Sequence, residues 1–232
     1  MKFLYLFFFG ILLSFTPAVA QSDINQMDEQ GKRHGVWKKM YSKTQQLRYE
    51  GTFEHGKEVG IFKFYCEDCK DQPTAVKEFN SKDGTSVVKY YTVKGKLVSE
   101  GKMDGKKRIG EWVYFQKKSN EVMTKENYLN GLLDGVKVTY YPGGTIAEEV
   151  TYKNGVIEGE SKYYSPKGVL LRKLTYRNDL LQGLATYYDG YGNVSIEGQY
   201  KDDKKDGLWK YYKDGKVKLE EVYPKPLEKV NN

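Results

Sequence analysis

Histidine and cysteine, which carry much of nucleophilic and metal chemistry in proteins, are scarce in this sequence, with two of each among 232 residues. Neither histidine is near a Gly-x-Ser-x-Gly segment or a recognisable acidic partner, so nucleophilic catalysis has no candidate base. No Gly-x-x-x-x-Gly-Lys-Ser segment for nucleotide phosphates is present either. These absences predict a protein that is not an enzyme and that uses no cofactor.

The two cysteines form one segment, Cys66-Glu67-Asp68-Cys69. This spacing suits a short disulfide, a redox couple or half of a zinc site. A zinc site needs two more ligands, but His34 and His55 lie in Gly-flanked turns elsewhere in the chain. A redox couple needs a helix N-terminus, whereas this segment follows a predicted strand. We therefore predict no metal ligands and a disulfide between Cys66 and Cys69, with free thiols or metal and redox chemistry as the alternatives.

Long apolar runs are also rare. The run from Phe3 to Phe15 has about 13 residues, against the roughly 20 that span a bilayer. It follows the charged start Met1-Lys2 and precedes Ala18-Val19-Ala20, which has the small-x-small form of a cleavage site. The sequence therefore predicts a cleaved signal peptide and a secreted or periplasmic protein, with a membrane anchor as the alternative.

Proline is scarce and mean hydropathy is low, at −0.72, whereas tyrosine and glycine are abundant, with 21 and 24 residues. Many of the apolar groups are thus amphipathic rings. The formal net charge of +7 is spread along the chain. Such a charge favours an acidic partner or an anionic membrane surface without identifying either. Nucleic acid is not an expected partner of an exported chain.

Aromatic pairs recur at a period of about 24 residues, the strongest signal in the chain. The pairs are Phe64-Tyr65, Tyr90-Tyr91, Tyr114-Phe115, Tyr140-Tyr141, Tyr163-Tyr164, Tyr187-Tyr188 and Tyr211-Tyr212, with Met40-Tyr41 as a degenerate first member. Asn-Gly and Asp-Gly signals bound short runs rich in Tyr, Val, Thr and Ile, which favours a strand, a turn and a second strand in each unit. We predict an all-β fold, an elongated antiparallel β-meander or solenoid of about eight two-stranded repeats, roughly 75 Å long.

Period-2 alternation assigns the side chains of this meander to two faces. The apolar face is predicted to carry Phe62 with Phe64, Val88 with Tyr90, Trp112 with Tyr114, Val138 with Tyr140, and Trp209 with Tyr211. The opposite face is predicted to carry Lys39 beside Tyr41, further Lys and Tyr pairs, and glutamates of the second strands. It is either a solvated face with Lys–Glu pairs or a recognition strip. The candidate binding-surface residues are Tyr41, Lys63, Tyr65, Lys89, Tyr91, Tyr141, Lys162, Tyr164, Tyr188, Lys210 and Tyr212.

The unit Gly-x-Trp-x-Tyr-aromatic, turn, aliphatic-x-x-Glu-x-x-Tyr-x-Asn-Gly-x-x-x-Gly resembles the bacterial variant of the MORN (membrane occupation and recognition nexus) repeat. The closest matches are Gly110 to Phe115 and Ile146 to Gly159, and the resemblance extends from about Asp28 to Tyr223. It implies a single-layer or curled antiparallel meander for protein contact or membrane association. Many bacterial members carry the label of toxin–antitoxin antitoxin. The second repeat departs from the pattern, because Glu67 to Asp71 stands where a short turn is expected.

The predicted organisation is a signal peptide at 1–20, a lead-in at 21–34, a MORN-like repeat domain at 35–223 and a tail at 224–232. The predicted function is an exported, non-enzymatic scaffold that binds another protein in the cell envelope or outside the cell. One alternative is a module that binds a membrane surface or a glycan through the Lys and Tyr strip. Another is an antitoxin or immunity-type protein that binds a toxin.

The signal peptide and the disulfide together predict the mass of the mature protein. Purified from its native host without reductant, the chain is expected to begin at Gln21 and to gain no iodoacetamide adduct, but to gain two adducts after reduction. Intact-mass spectrometry measures both properties. A chain that retains residues 1–20 contradicts the cleavage, and alkylation without reductant contradicts the disulfide.

Overall fold

A computed structural model describes residues 24–69 and 71–225 of the chain. The predicted signal peptide and residues 226–232 of the predicted tail lie outside this part. Among the described residues, no helix has the length and apolarity that crossing a bilayer requires. All of the regular structure in residues 24–69 and 71–225 is strand.

Sixteen strands have five to ten residues and two have two residues. Their bounds are β1 Gln26–Met27, β2 Arg33–Met40, β3 Leu47–Glu54, β4 Lys57–Phe64, β5 Ala75–Phe79, β6 Thr85–Tyr91, β7 Leu97–Asp104, β8 Lys107–Phe115, β9 Val122–Leu129, β10 Leu132–Leu133, β11 Gly135–Tyr140, β12 Ile146–Lys153, β13 Val156–Tyr164, β14 Leu170–Arg177, β15 Leu180–Tyr188, β16 Val194–Lys201, β17 Lys204–Lys213 and β18 Lys216–Tyr223.

Each longer strand pairs antiparallel with the next longer strand along the chain, from β2 with β3 to β17 with β18, and the two short strands, β1 and β10, pair with β2 and β9. The longer strands thus form eight hairpins in one open sheet. The predicted all-β meander of about eight repeats is confirmed. The second hairpin keeps this pairing, with Phe64 opposite Ala75, despite its long loop.

Two kinds of turn alternate along the sheet. A two-residue turn joins most repeats to the next, although residues 80–84 form a longer loop between β5 and β6. At Asn154-Gly155 both residues have positive φ, +49° and +88°, as a type I′ turn requires. A longer loop joins the two strands within each repeat except the last, where Asp214-Gly215 forms a two-residue turn. In the loop after β13, the Gly168 N–H donates to the Ser165 carbonyl at 2.8 Å. The Asn-Gly and Lys-Gly signals of the sequence therefore mark opposite ends of the strands.

Directly paired residues point to the same side of a sheet, so the register assigns every side chain to a face. We call the face that carries Phe62, Trp112 and Trp209 the inner face, and the face that carries Lys63 and Lys89 the outer face. Phe62, Trp112 and Trp209 are at most 1% exposed, although no second layer covers them among the described residues. The large side chains of the inner face are therefore buried by neighbouring side chains of the same sheet.

Large and small residues complement each other across adjoining repeats of the inner face. A residue in a second strand lies beside a residue of the next first strand eleven positions later, and in five of these seven pairs one member is small. The five pairs are Gly51 with Phe62, Gly101 with Trp112, Val150 with Ser161, Leu174 with Ala185, and Gly198 with Trp209. The other two pairs are Lys77 with Val88 and Glu126 with Lys137. A Cβ atom on Gly101 or Gly198 would overlap the neighbouring indole ring. Each of the five pairs therefore has room for one large side chain.

A cation lies over each tryptophan of the inner face. Arg33, Arg108 and Lys205 each precede a tryptophan by four residues, and their charged groups lie 5.2, 4.6 and 4.2 Å from the ring centroids of Trp37, Trp112 and Trp209. The indole N–H of Trp112 donates to the Lys102 carbonyl at 2.9 Å. Long amphipathic side chains thus cover the rings while their charges stay near water. This explains how a chain of low hydropathy maintains a core.

The register also corrects the predicted faces in two repeats. Lys38, and not Lys39, lies opposite Glu50 on the outer face, whereas Lys39 is paired with Tyr49 on the inner face. In the fifth repeat, Val138 lies opposite Glu149 on the outer face, so its predicted inner position is wrong.

In every repeat except the third, which has Ser86 at this position, a glycine and not the aromatic pair marks the frame. The inner-face residue follows this glycine by two positions, as Trp112 follows Gly110 and Lys137 follows Gly135, and both glycines have positive φ, +63° and +107°. Only glycine adopts this conformation without strain. The Tyr140-Tyr141 pair lies one residue further from its glycine than the aromatic pair of the fourth repeat does. The face predicted for Val138 from the aromatic pair was therefore the wrong one.

Gly198→Leu is expected to destabilise the protein by about 2–3 kcal/mol, because the new side chain overlaps Trp209, and Trp209→Ala by about 3–5 kcal/mol. The double variant reproduces the native Leu174–Ala185 pair. Its loss in free energy of unfolding should be smaller than the sum of the two single losses by at least about 1 kcal/mol. Chemical denaturation measures the cycle. Gly190→Ala, where the added atom meets nothing within 4 Å, is the control, and strict additivity would contradict the complementarity.

Candidate functional site

One continuous row of directly paired residues crosses the outer face from β2 to β18; we call it the charge row. In strand order it contains Lys38, Glu50, Lys63, Val76, Lys89, Glu100, Val113, Lys125, Val138, Glu149, Lys162, Lys173, Thr186, Glu197, Lys210 and Glu220. Its seven lysines and five glutamates alternate closely, so most positive charges have a negative neighbour. The predicted alternation of Lys and Glu is present, with Lys38 in place of Lys39.

Several of these neighbours form ion pairs. Glu50 lies 3.5 Å from the Lys38 ammonium and 3.7 Å from that of Lys63, and Lys89 lies 3.4 Å from Glu100. Candidate residues Lys63 and Lys89 are therefore paired within the sheet. Candidate residues Lys162 and Lys210 lie opposite Glu149 and Glu197 in the same row. Exposed pairs of this kind contribute about 0–1 kcal/mol each, so they balance charge more than they stabilise the fold.

Three candidate tyrosines donate hydrogen bonds to glutamates of the charge row that precede them by fifteen residues. Tyr65 donates to Glu50 at 2.9 Å, Tyr164 donates to Glu149 at 2.8 Å, and Tyr212 donates to Glu197. Burial, followed by the neighbouring glutamate, raises the pKa of Tyr65 to about 12 and that of Tyr164 to about 12. These hydroxyl groups are therefore committed to partners within the sheet.

The same fifteen-residue relation distinguishes two other candidates. Tyr91 and Tyr188 have Val76 and Lys173 at the position of the glutamate. Neither side chain accepts a hydrogen bond from a phenol when lysine is charged. The hydroxyl groups of Tyr91 and Tyr188 thus lack the glutamate acceptor that the other three have.

Tyr41 and Tyr141 lie elsewhere, in the loops that follow β2 and β11. Their hydroxyl groups donate to the backbone carbonyls of Tyr65 and Tyr164, at 2.8 and 2.9 Å. Both tyrosines therefore attach the loop of one repeat to the next repeat. The structure does not bring them into line with the other candidate tyrosines, because Met40 and Tyr140 occupy the equivalent strand positions.

A row of exposed aliphatic side chains, missed by the sequence analysis, runs beside the charge row; we call it the aliphatic row. It lies two residues before the charge row in six of the eight first strands and continues into the last strand, whereas Glu111 and Glu160 stand at this position in β8 and β13. Its members are Val36, Ile61, Val87, Val136, Leu184, Leu208 and Val222. Ile61 is 54% exposed and Leu184 is 53% exposed. In most of these strands the aliphatic residue directly follows the frame glycine, as in Gly183-Leu184. This recurring Gly-aliphatic pair is the sequence pattern from which the row could have been predicted.

Shallow depressions lie between the two rows. One of about 250 Å³ is lined by Val36, Thr52 and Ile61 together with Glu50 and Lys63. Another of about 160 Å³ is lined by Val136 and Thr151 beside the charged residues Glu149, Glu160 and Lys162. Each depression combines apolar lining with charged groups. This composition suits the side chains of another protein.

The predicted disulfide lies in the loop between β4 and β5. The structure joins Cys66 to Cys69, with their Cα atoms 5.1 Å apart, within the usual range for disulfides. The Thr44 hydroxyl, in the loop of the preceding repeat, donates to Glu67 at 3.3 Å. A bonded cysteine pair supplies no thiolate ligand, so in this state the loop offers no cysteine site for a metal.

The two histidines, expected in unrelated turns, lie side by side. His34 in β2 and His55 in the turn after β3 have ring centroids 5.0 Å apart. His55 Nδ1 lies 2.8 Å from Asp28 Oδ2. The prediction that neither histidine has an acidic partner is therefore wrong. Asp28 is 27 residues away in sequence, and only the hairpin of β1 with β2 brings it there.

Two segments of the chain, residues 133–154 and 157–178, match the MORN repeat variant family. Each segment contains one hairpin, β11–β12 or β13–β14, and ends in the turn that follows it. No curated protein shows significant similarity to the chain. MORN repeats are non-enzymatic modules of protein and membrane interaction. The resemblance to this repeat is confirmed for these two segments.

Glu149→Gln is expected to lower the pKa of Tyr164 from about 12 part of the way toward 10, because a neutral acceptor no longer opposes the phenolate. Tyrosine ¹³Cζ NMR measures this, with Tyr164→Phe for assignment. Since the folded-state pKa exceeds the unfolded one, this phenol's contribution to stability is complete below about pH 10 and declines toward pH 12.

The matched control is Glu100→Gln, whose counterpart fifteen residues later is Phe115 and carries no hydroxyl. It should leave the tyrosine titrations unchanged. An unaltered Tyr164 titration in Glu149→Gln would show that the hydrogen bond does not govern this phenol.

Proposed function

We propose that the chain is an exported, non-enzymatic scaffold that binds another protein through the outer face of its sheet. The proposal rests above all on the aliphatic row, which leaves side chains such as Ile61 and Leu184 more than half exposed along a regular line. Exposed aliphatic side chains on alternate strands, with polar residues such as Thr52 and Gln199 between them, form the mixed apolar and polar surface that is typical of a protein interface. The two segments that match an interaction repeat belong to the same sheet.

The balanced charge row favours a protein partner over an anionic membrane. Lys38 and Lys63 share Glu50, Lys89 pairs with Glu100, and further lysines pair with Glu111 and Glu160. A surface that binds anionic headgroups gains about 1 kcal/mol for each unpaired basic residue near the lipid. Paired lysines forfeit most of that attraction, whereas alternating charges beside an apolar strip set the register of a protein partner.

Export is supported by the signal-like residues 1–20 and by the bonded cysteine pair, which is typical of oxidising compartments. The partner is therefore expected in the envelope or outside the cell. A toxin in such a compartment is one case of this partner, and a glycan through the Tyr and Lys strip is the remaining alternative.

The outer face is tested by three substitutions in the aliphatic row, Ile61→Thr, Leu184→Thr and Leu208→Thr. Threonine retains strand propensity, so the fold should persist while apolar contact area is lost. A partner captured by photo-cross-linking at position 184, from the native envelope fraction, is purified and titrated. The triple variant is expected to lower its affinity at least tenfold.

The control is Tyr191→Thr, which removes a 92% exposed aromatic ring from the loop after β15, outside the aliphatic row. It should leave the affinity unchanged. Equal affinity of the wild type and the triple variant would refute the aliphatic row as the binding surface.

Sedimentation with phosphatidylglycerol vesicles tests the membrane alternative. The scaffold proposal expects no salt-sensitive binding. Salt-sensitive binding that disappears on changing Lys63, Lys89, Lys162 and Lys210 to Glu would instead favour the membrane surface as the partner.

A further inference from the structure

The candidate ligand atoms of Asp28, His34 and His55 all lie within 4.8 Å of one another. His34 and His55 are the only two histidines of the sequence. They belong to different elements, β2 and the turn between β3 and β4, and the carboxylate comes from a third, the turn between β1 and β2. The fold thus brings two imidazoles and one carboxylate together at the N-terminal end of the sheet.

Asp28 is held in place by the backbone. Its Oδ1 accepts hydrogen bonds from the N–H groups of Gln30 and Lys32, at 2.9 and 2.8 Å. Its Oδ2 points instead at His55 Nδ1, 2.8 Å away. The Asp28 side chain is 11% exposed, whereas that of His55 is 62% exposed. The two backbone N–H groups therefore orient the other carboxylate oxygen toward the imidazoles. The exposed His55 ring leaves one side of the cluster open to water.

The fifth, sixth and seventh repeats use the equivalent positions for a different contact. The residue before the frame glycine is His34 in the first repeat, and Asp134, Glu158 and Gln182 in these three. Those three side chains accept hydrogen bonds from the N–H groups that open the following turn, at 3.2, 2.9 and 3.1 Å. The donor residues are Asn154, Asn178 and Asp202.

His55 occupies the donor position in the first repeat, with a φ of +48° against +49° for Asn154. The turn between repeats therefore forms without histidine. Imidazoles therefore stand in the first repeat at both ends of a contact that the fifth to seventh repeats make between a side-chain oxygen and a backbone N–H. The fold itself does not account for this substitution, whereas ligand binding would.

We propose that Asp28, His34 and His55 bind one divalent transition-metal ion, with Zn²⁺ as the reference ion and water completing the coordination. Imidazole nitrogen and carboxylate oxygen are the ligands that Zn²⁺ takes beside thiolate. Ligand atoms around a tetrahedral Zn²⁺ lie about 3.3 Å apart. Rotation of the exposed His55 ring and of His34 therefore has to close roughly 1.5 Å. The bound ion ties the β1–β2 turn to the β3–β4 turn.

The test is a titration of the untagged, oxidised mature chain with Zn²⁺ by calorimetry. One equivalent is expected to bind. Asp28→Asn, His34→Gln and His55→Asn should each lower the affinity at least tenfold.

Each of these variants is chosen to preserve the local fold. The side-chain amide oxygen introduced by Asp28→Asn still accepts the two backbone N–H groups. The changes His34→Gln and His55→Asn introduce the residue types that later repeats have at the equivalent positions, Gln182 and Asn154. Circular dichroism verifies that the sheet is retained.

Two control variants separate this site from other possible ligands. Asp134→Asn removes the carboxylate that stands at the position of His34 in the fifth repeat, which has no histidine. The second control, Cys66→Ser with Cys69→Ser, removes both cysteines, the other residue type that binds Zn²⁺. Both should bind Zn²⁺ as the wild type does. Absence of saturable binding at 100 μM Zn²⁺ would overturn the proposal, as would wild-type affinity in all three ligand variants, or loss of binding in the cysteine variant.

Discussion

The structure depends on one steric constraint: between adjoining hairpins, the inner face has room for one large side chain. Where the first strand supplies Trp112 or Trp209, the preceding second strand has glycine beneath the ring, and where it supplies Ala185, the second strand has Leu174. A single sheet has no second layer against which to bury apolar surface, so its core must be built laterally from such pairs. The arginine or lysine four residues before each tryptophan then covers the ring.

Because this lateral core lies on the inner face, the fold does not depend on burying apolar side chains on the outer face. Its charge row neutralises itself through pairs such as Lys89 with Glu100, and its phenols bind glutamates of the preceding strand, as Tyr164 binds Glu149. What these pairs do not occupy is the aliphatic row. Exposed aliphatic residues at every other strand are costly for solubility unless a partner covers them. The contrast between a satisfied polar row and an unsatisfied apolar one is therefore the strongest indication of function.

The repeat period, the turns and the meander could be predicted because each is a local property of a short segment. The frame within a repeat could not, since Tyr140-Tyr141 imitates the aromatic pair of other repeats while lying one residue out of step with Gly135. A one-residue shift moves every side chain to the opposite face. The meeting of Asp28 with His55 was equally hidden, because it depends on a hairpin formed before the first recognisable repeat.

The two ends of a linear array differ from its middle, because the outermost hairpins have a neighbour on one side only. At the N-terminal end, β1 pairs with β2, and the Trp37 indole donates to the Gln26 carbonyl at 3.0 Å. At the other end, β18 pairs with β17 alone among residues 24–69 and 71–225. The first repeat therefore carries contacts that no interior repeat needs. Both histidines belong to this end of the sheet, where Asp28 of the β1–β2 turn reaches His55.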